Sequence, residues 1–210
     1  MIKAVIFDMD GVLIEAREWH YEALNKALKL FGYEISRFDH LTTYDGLPTK
    51  RKLEMLSIER DLPRELHEFI NEMKQVYTME LVYTQCKPRF IHEFALSTLK
   101  SHGLKLGLAS NSIRSTVDTM LQKAALSGYF DLTLSSDDVA HQKPDSEIYT
   151  KAIKAFNLIP SEVLIVEDNE NGVKAAKGSG ANVLVVRNVD EVNIKNIITK
   201  ITELNSAGVK

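Results

Sequence analysis

Two aspartates separated by one residue and followed by glycine stand near the start of the chain, in the sequence Asp8-Met9-Asp10-Gly11. Carboxylates at this spacing can point into the same space, and the glycine lets the chain turn sharply away from them. A carboxylate can attack phosphorus and form an acyl phosphate, which water then cleaves. The motif therefore favours phosphoryl transfer, with Asp8 as the nucleophile and Asp10 as the general acid and base on the leaving group and the water.

A second acidic pair, Glu167-Asp168, occurs late in the chain. Its oxygens would complete an oxygen-rich set of ligands with those of the first motif. Such ligands suit a hard cation, so we predict that Mg²⁺, and not zinc, is bound by Asp8, Asp10, Glu167 and Asp168. The metal would offset the repulsion between carboxylate and phosphate and polarise the phosphoryl oxygens.

The phosphate group itself needs hydrogen-bond donors and a positive charge. Lys143 would hold a phosphate oxygen and neutralise the aspartates. Ser110 would donate its hydroxyl, and Asn111 would donate its backbone amide at the start of a helix, where anions are favoured. These three residues complete the predicted phosphate site.

Each of these motifs also has an ordinary structural interpretation. Asp-Gly after a strand is a common hairpin turn. The run Ser110-Asn111-Ser112 could cap a helix with Ser112, and Lys143 or the pair Glu167-Asp168 could lie in a solvated loop. Their joint placement, each after a predicted strand, is the argument for a single site.

Short apolar segments alternate with segments of helical period over most of the chain. This alternation predicts a doubly wound, Rossmann-like α/β core with a parallel sheet covered on both faces. Ligands bind such sheets at the carboxyl ends of the strands, where the polar motifs fall. The predicted strands are 2–7, 104–109, 130–134, 163–166 and 183–186, and the predicted helices of the core are 90–102, 112–126, 146–157, 171–178 and 192–204.

The segment after the first strand has a different character. Helical periodicity is found at 18–31, 49–58 and 63–83, and no convincing strand lies between them. The segment is too long for an ordinary crossover between two strands. We therefore predict an all-helical cap domain at 15–85, inserted into an α/β catalytic core formed by 1–14 and 86–210.

Composition narrows the class of partner. The 210 residues carry a net charge of −3, which provides no basic surface for nucleic acid. The single cysteine, Cys86, excludes an intrachain disulfide, and no apolar run approaches the length of a signal-peptide core or a membrane span. We expect a cytoplasmic monomer or weak dimer that acts on a small phosphorylated metabolite, and neither nucleic acid nor a membrane as a partner.

The chain resembles the haloacid dehalogenase-like hydrolases, in the branch with a helical cap after the first strand. Within that branch it is similar to the β-phosphoglucomutase and phosphoglycolate phosphatase relatives. The matching stretches are Asp8-Met9-Asp10-Gly11-Val12, Ala109-Ser110-Asn111-Ser112, Lys143-Pro144-Asp145 with Ile148-Tyr149, and Val166-Glu167-Asp168 with Asn171-Gly172-Val173.

The resemblance implies a role for each matching polar residue. It implies Asp8 as nucleophile and Asp10 as acid and base, with Ser110 and Lys143 on the phosphate. It implies Mg²⁺ on Asp8, Asp10 and Asp168, and Glu167 as a direct or water-mediated ligand. The chain departs from many relatives at Glu15-Ala16, where they carry Asp-Ser or Asp-Thr, and at 86–89, where they carry Pro-Gly.

The predicted cap contains three candidate substrate-binding residues, which are His20, Arg51 and Lys74. His20 matches a histidine of the sugar-phosphate mutases in this family, and Lys74 matches a cap lysine of some relatives; both could equally be ordinary helix-surface residues. The stretch Asp45-Gly46-Leu47-Pro48 resembles the cap loop that meets substrate. Thr49 then stands where the mutases carry a phosphate-binding arginine, with Arg51 shifted from that place.

Three functions are consistent with these residues. The first is a phosphatase for a small phosphomonoester, such as a sugar phosphate, and it is the one we predict, because Thr49 replaces the mutase arginine. The second is a sugar-phosphate mutase, which would need a bisphosphorylated activator. The third is a phosphate-sensing domain; the inserted cap and the place of Asp8 on the first strand argue against it.

Overall fold

Five short strands form one parallel sheet in the computed structural model, which describes residues 1–44 and 47–207. Their order across the sheet is β3-β2-β1-β4-β5, so the first strand in sequence lies at the centre. This order reverses direction at β1, as in doubly wound sheets. The strands are β1 (Ala4–Phe7), β2 (Lys105–Ala109), β3 (Leu132–Leu134), β4 (Val163–Glu167) and β5 (Asn182–Val185).

The α-helices of the described residues follow the predicted pattern, apart from a short helix that the sequence analysis missed at 37–39. Several boundaries are displaced by one to four residues from the predicted ones. The helices are α1 (Arg17–Lys29), α2 (Arg37–Asp39), α3 (Thr49–Glu59), α4 (His67–Gln85), α5 (Phe90–Ser101), α6 (Arg114–Lys123), α7 (Glu147–Ala155), α8 (Glu170–Gly178) and α9 (Ile194–Ala207).

The carboxyl ends of the three central strands, β2, β1 and β4, lie side by side. Every residue of β1 and of β4 is buried, as expected for parallel strands covered on both faces. Phe7 is in register with Leu108 of β2 and with Val166 of β4. The residues that follow these three positions therefore meet at one edge of the sheet, and the α/β fold class predicted from the sequence is confirmed.

One strand differs from its prediction. A sheet covered on both faces and the apolar run at 183–186 predict a buried strand, yet β5 is only partly buried and Val185 is 54% exposed. The prediction was wrong because β5 lies at the edge of the sheet, where one side has no neighbouring strand. An apolar run alone does not distinguish an edge strand from a central one.

The chain divides into two compact units, Met1–Glu15 with Lys87–Lys210, and Ala16–Cys86. The first unit contains the sheet, and its buried cluster packs residues of α7 and α8 against β1 and β4. In the second unit, every secondary-structure element of the described residues is a helix, and the unit has its own apolar cluster, which includes Leu28 and Tyr44. The assignment of these units as catalytic core and substrate-selecting cap remains a prediction.

No helix of the described residues is both long enough and apolar enough to cross a bilayer.

Candidate active site

A tight turn directly after β1 presents the first acidic motif. The backbone amide of Asp8 donates to the carbonyl of Val166 at 3.0 Å, so Asp8 still continues the pairing of β1 with β4. Gly11 then turns the chain with a φ of +86°, in the left-handed region that favours glycine. A Cβ at Gly11 would lie 2.0 Å from Oδ2 of Asp168. Glycine is therefore required here both by the backbone angle and by the close approach of Asp168.

Lys143 lies at the centre of the site. Its Nζ is within 2.9 Å of four oxygens: Asp8 Oδ1 at 2.6 Å, Glu167 Oε1 at 2.7 Å, Tyr149 Oη at 2.7 Å and the Ala109 carbonyl at 2.9 Å. The Lys143 side chain is only 3% exposed and that of Asp8 only 8% exposed. The carboxyl ends of β1, β2 and β4 and the helix α7 thus meet around one buried ammonium group.

Electrostatics in this site favour a bound cation. Burial raises the pKa of Asp8 well above its usual value; Lys143 opposes this, and Glu167, Asp168 and Asp10 reinforce it. Burial would lower the pKa of Lys143, but its contacts with Asp8 and Glu167 outweigh burial and raise it. We treat the pair as charged, because an ammonium and a carboxylate attract each other strongly at the 2.6 Å that separates Lys143 Nζ from Asp8 Oδ1. One ammonium then faces several carboxylates, and the excess negative charge favours a cation.

A group of three carboxylates could hold a divalent metal. One oxygen from each of Asp8, Glu167 and Asp168 lies within 4.8 Å of the others, and the donor set is oxygen only, as hard cations prefer. Asp10 lies outside this group, and its Oδ2 accepts a hydrogen bond at 3.0 Å from Ser112. The role of Asp10 as a metal ligand therefore remains a prediction.

Both oxygens of Glu167 already accept hydrogen bonds from the protein. Oε1 accepts from Lys143 and, at 2.5 Å, from Tyr149, while Oε2 accepts from the amide of Asp168 at 3.1 Å. A Cβ at Gly172 in α8 would lie 2.0 Å from Oε1. Within the described residues Oε2 accepts only one hydrogen bond, so both alternatives for Glu167, direct or water-mediated ligation, remain predictions.

The segment after β2 is organised differently from its prediction. The helix expected from residue 112 begins at Arg114, and Ile113 precedes it without a side-chain cap, so Ser112 is not the N-cap. The hydroxyl of Ser112 contacts Asp10 instead. Ser110 is buried, and its Oγ accepts from the amide of Ser112 at 3.0 Å. The chain is non-helical through 113, and the polar groups of Ser110 and Ser112 make contacts in this segment and with Asp10.

Asn111 has a role that its sequence position did not indicate. Its side-chain amide makes two hydrogen bonds to the backbone of Lys143, accepting from the amide at 3.0 Å and donating to the carbonyl at 3.2 Å. The side chain therefore fixes the main chain of Lys143 in the core. The predicted contact of its backbone amide with phosphate remains a prediction, and this amide lies before the helix start and not at it.

The other predicted substrate-binding residues lie in the helical unit. His20 is partly buried on α1, and Lys74 is buried on α4. Arg51 is exposed on α3 and pairs with Glu54 at 3.3 Å. Asp45 and Gly46 of the predicted substrate loop lie outside the described residues, and Thr49 is the first residue of α3. The substrate contacts of His20, Arg51 and Lys74 stay predictions.

Sequence reasoning assigned no role to two residues that shape the site, Tyr149 and Gly172. Both fell within the stretches that match the family. No single signal marks a tyrosine on an apolar helix face as a polar partner, because the same position suits packing alone.

A doubly wound sheet that places an aspartate–lysine pair and an acidic cluster at the carboxyl ends of its strands is suited to binding a phosphate group. Residues 5–186 match the haloacid dehalogenase-like hydrolases. The chain belongs to this family and is a hydrolase that acts on phosphate esters.

Two relatives of the chain are phosphatases, and a solved structure shares its fold. A phosphorylated carbohydrates phosphatase of Thermotoga maritima is 31% identical over 182 residues, which are 85% of this chain and 82% of that protein. A phosphoglycolate phosphatase of Aquifex aeolicus is 32% identical over 180 residues, with the same coverage of 85% and 82%. The crystal structure of a β-phosphoglucomutase of Clostridium difficile shares the fold over 100% of both chains, with a TM-score of 0.83 at 24% identity.

Proposed function

We propose that the protein is a Mg²⁺-dependent phosphatase that hydrolyses a small phosphomonoester, such as a sugar phosphate, through an aspartyl-phosphate at Asp8. The contact that carries the proposal is the buried pair of Lys143 Nζ and Asp8 Oδ1, 2.6 Å apart beside the acidic cluster. An ion pair at this position keeps Asp8 anionic, as a nucleophile must be. The phosphatase names of the two relatives above support the same chemistry.

In the first step, an oxygen of Asp8 would attack phosphorus, and the bond from phosphorus to the leaving oxygen would break. Asp10, placed by the turn after β1 and held by Ser112, would give its proton to the leaving alkoxide. Lys143 and Ser110 would hold the phosphoryl oxygens. The products of this step are the free alcohol and a phosphorylated Asp8.

In the second step, water would attack the phosphorus of the aspartyl-phosphate. Asp10, now a carboxylate, would take the proton of the water, and the bond from phosphorus to the Asp8 oxygen would break. Phosphate leaves and both aspartates return to their starting states. One residue can serve both steps because the two proton transfers run in opposite directions.

The carboxylates of Asp8 and Asp168, with Glu167 directly or through water, would hold the Mg²⁺. Asp10 would bind it through its main-chain oxygen, because its carboxyl group must carry a proton in the first step. When bound, the ion would neutralise negative charge on the phosphoryl group and reduce the repulsion between that group and the Asp8 carboxylate.

The test is a screen of phosphorylated metabolites with Mg²⁺, in which phosphate release is measured and isomerisation is followed in parallel. We expect phosphate release that is lost after dialysis against EDTA and restored by Mg²⁺, because the oxygen-only cluster leaves the carboxylate repulsion uncompensated without a cation. Full activity after EDTA treatment would contradict the metal dependence. Isomerisation of β-glucose 1-phosphate to glucose 6-phosphate that is faster than any phosphate release would make the protein a mutase.

A second prediction concerns the helical unit, which we propose selects the substrate. Replacing Arg51 or Lys74 with alanine is expected to raise KM for the best metabolite of the screen about 10-fold, as the loss of one charged contact would. The variants should hydrolyse p-nitrophenyl phosphate almost normally, because that compound depends on Asp8, Ser110, Lys143 and the metal.

A matched control is available on the same unit. Lys26 on α1 pairs with Glu80 at 2.8 Å, and its side chain is 56% exposed. Lys26→Ala should therefore leave KM and kcat unchanged on both substrates. Equal losses on both substrates in the Arg51 or Lys74 variants would assign those residues to the chemical step or to folding. Unchanged kinetics would show that neither side chain contributes to substrate binding.

A further inference from the structure

A buried tyrosine completes the polar contacts of Lys143. Tyr149 lies on α7, on a face whose other buried residues are Ile148, Ala152 and Ile153, and its side chain is fully buried. Its ring is therefore fixed by packing within the apolar cluster of the core. Its hydroxyl is directed into the site, 2.7 Å from Lys143 Nζ and 2.5 Å from Glu167 Oε1.

The chemistry of these groups fixes the direction of both hydrogen bonds. An ammonium group can only donate, so Lys143 donates to the tyrosine oxygen. A carboxylate can only accept, so the single hydroxyl proton of Tyr149 goes to Glu167. The hydroxyl thus accepts a hydrogen bond from a cation and donates one to an anion, and the two contacts polarise its O–H bond in the same direction.

This arrangement affects how Lys143 is shared between two carboxylates. Its Nζ is 2.6 Å from Asp8 Oδ1 and 2.7 Å from Glu167 Oε1, so the two acids compete for one ammonium. The proton donated by Tyr149 takes up part of the negative charge on Glu167 Oε1 and weakens its attraction for Lys143. Without that proton, the ammonium would move toward Glu167 and away from Asp8.

We propose that Tyr149 is a positioning residue for the nucleophile, because its hydroxyl holds Lys143 and Glu167 in the geometry that keeps Lys143 on Asp8. The proposal rests on the proposed function, in which Asp8 attacks phosphorus. Tyr149 acts through Lys143 and Glu167 and not on the substrate.

The test is Tyr149→Phe, which removes the hydroxyl and keeps the ring. Lys143 retains three oxygen partners for its three N–H groups, so no buried donor is left unpaired and the variant should fold. We expect kcat on p-nitrophenyl phosphate to fall by about 10-fold to 30-fold while KM changes by less than about threefold, because a misplaced nucleophile affects the transition state more than substrate binding. Tyr149→Met, which also lacks the hydroxyl, should show the same pattern and serves if the phenylalanine variant fails to fold.

Tyr44→Phe is the matched control. Tyr44 is 1% exposed, and its hydroxyl donates to Glu59 at 2.9 Å within the helical unit. The variant loses the same type of hydrogen bond, so its melting temperature should fall as that of Tyr149→Phe does, with kcat unchanged. The proposal would be overturned if the Tyr149 variants also kept the kcat of the wild type, or if only their KM rose.

A second readout does not depend on turnover. Crystal structures of the wild type and of Tyr149→Phe should show the distance from Lys143 Nζ to Asp8 Oδ1 lengthening to more than about 3.5 Å in the variant, beyond hydrogen-bond range. An unchanged distance would overturn the positioning role. If the wild type releases no phosphate from any substrate, the proposed function fails, and this distance still tests the inference about Tyr149.

Discussion

Asp8→Asn is expected to abolish phosphate release, with a loss on the order of 10⁴-fold or more in kcat, because an amide cannot attack phosphorus. Asparagine has nearly the shape of aspartate, so the position next to Lys143 stays filled. The measurement is phosphate release by the purified variant on the best substrate of the screen. Turnover near that of the wild type would contradict the assignment of Asp8 as nucleophile.

The loss should not come from unfolding. Burial and the carboxylates of Glu167, Asp168 and Asp10 raise the pKa of Asp8, which means that the charge of Asp8 is unfavourable in this site apart from its contact with Lys143. A neutral asparagine removes that repulsion, and Lys143 keeps Glu167 as an anionic partner at 2.7 Å. The melting temperature of Asp8→Asn should therefore equal or exceed that of the wild type.

A surface substitution of the same chemical type provides the control. The Asp118 side chain is 62% exposed and lies 3.8 Å from Arg114. Asp118→Asn should keep full activity, because exposed pairs of this kind contribute little. A comparable loss of activity in Asp118→Asn would show that the loss comes from the preparation of the variant proteins and not from removal of the nucleophile.

The sheet was predictable because its signals are local. The apolar runs that became β1 and β4 carry no polar residue until their carboxyl ends, and a polar motif after an apolar run marks a strand end whatever the tertiary structure. The burial of β5 was not predictable, because the order of strands across the sheet decides which of them lies at an edge. That order depends on contacts between residues far apart in sequence.

The sequence predicted which residues form the site, but not which contacts they make with one another. Because Asp8, Lys143 and Glu167 each come after a predicted strand, the sequence was enough to predict that they meet at the carboxyl ends of the strands. The sequence could not show that Asn111 holds the backbone of Lys143, or that Ser112 contacts Asp10 and does not cap α6. Short polar side chains can bind a helix end or a neighbouring loop at similar free energy, and only the folded geometry selects one.

Gly11→Ala tests how closely the backbone of the first motif approaches the acidic cluster. The added Cβ would lie 2.0 Å from Oδ2 of Asp168, so this carboxylate must move. Its other oxygen accepts a hydrogen bond from Asn169 at 3.0 Å, which limits how it can move. Because Asp168 is a proposed metal ligand, we expect Mg²⁺ affinity to fall by about 10-fold to 100-fold, and phosphate release by at least as much.

Gly103→Ala separates this displacement from backbone strain. Gly103 has a φ of +77°, close to the +86° of Gly11, but a Cβ there would meet no atom within 4 Å. Both variants should lose about 1–2 kcal/mol of stability from a left-handed alanine, and only Gly11→Ala should lose metal affinity, measured by titration calorimetry, and activity. Equal metal binding by the two variants would show that displacing the Asp168 carboxylate does not affect the ion, which would contradict the proposed role of Asp168 as a ligand. A selective loss in Gly11→Ala would instead mean that the glycine after the nucleophile is needed because its backbone leaves room for a metal ligand from the neighbouring strand.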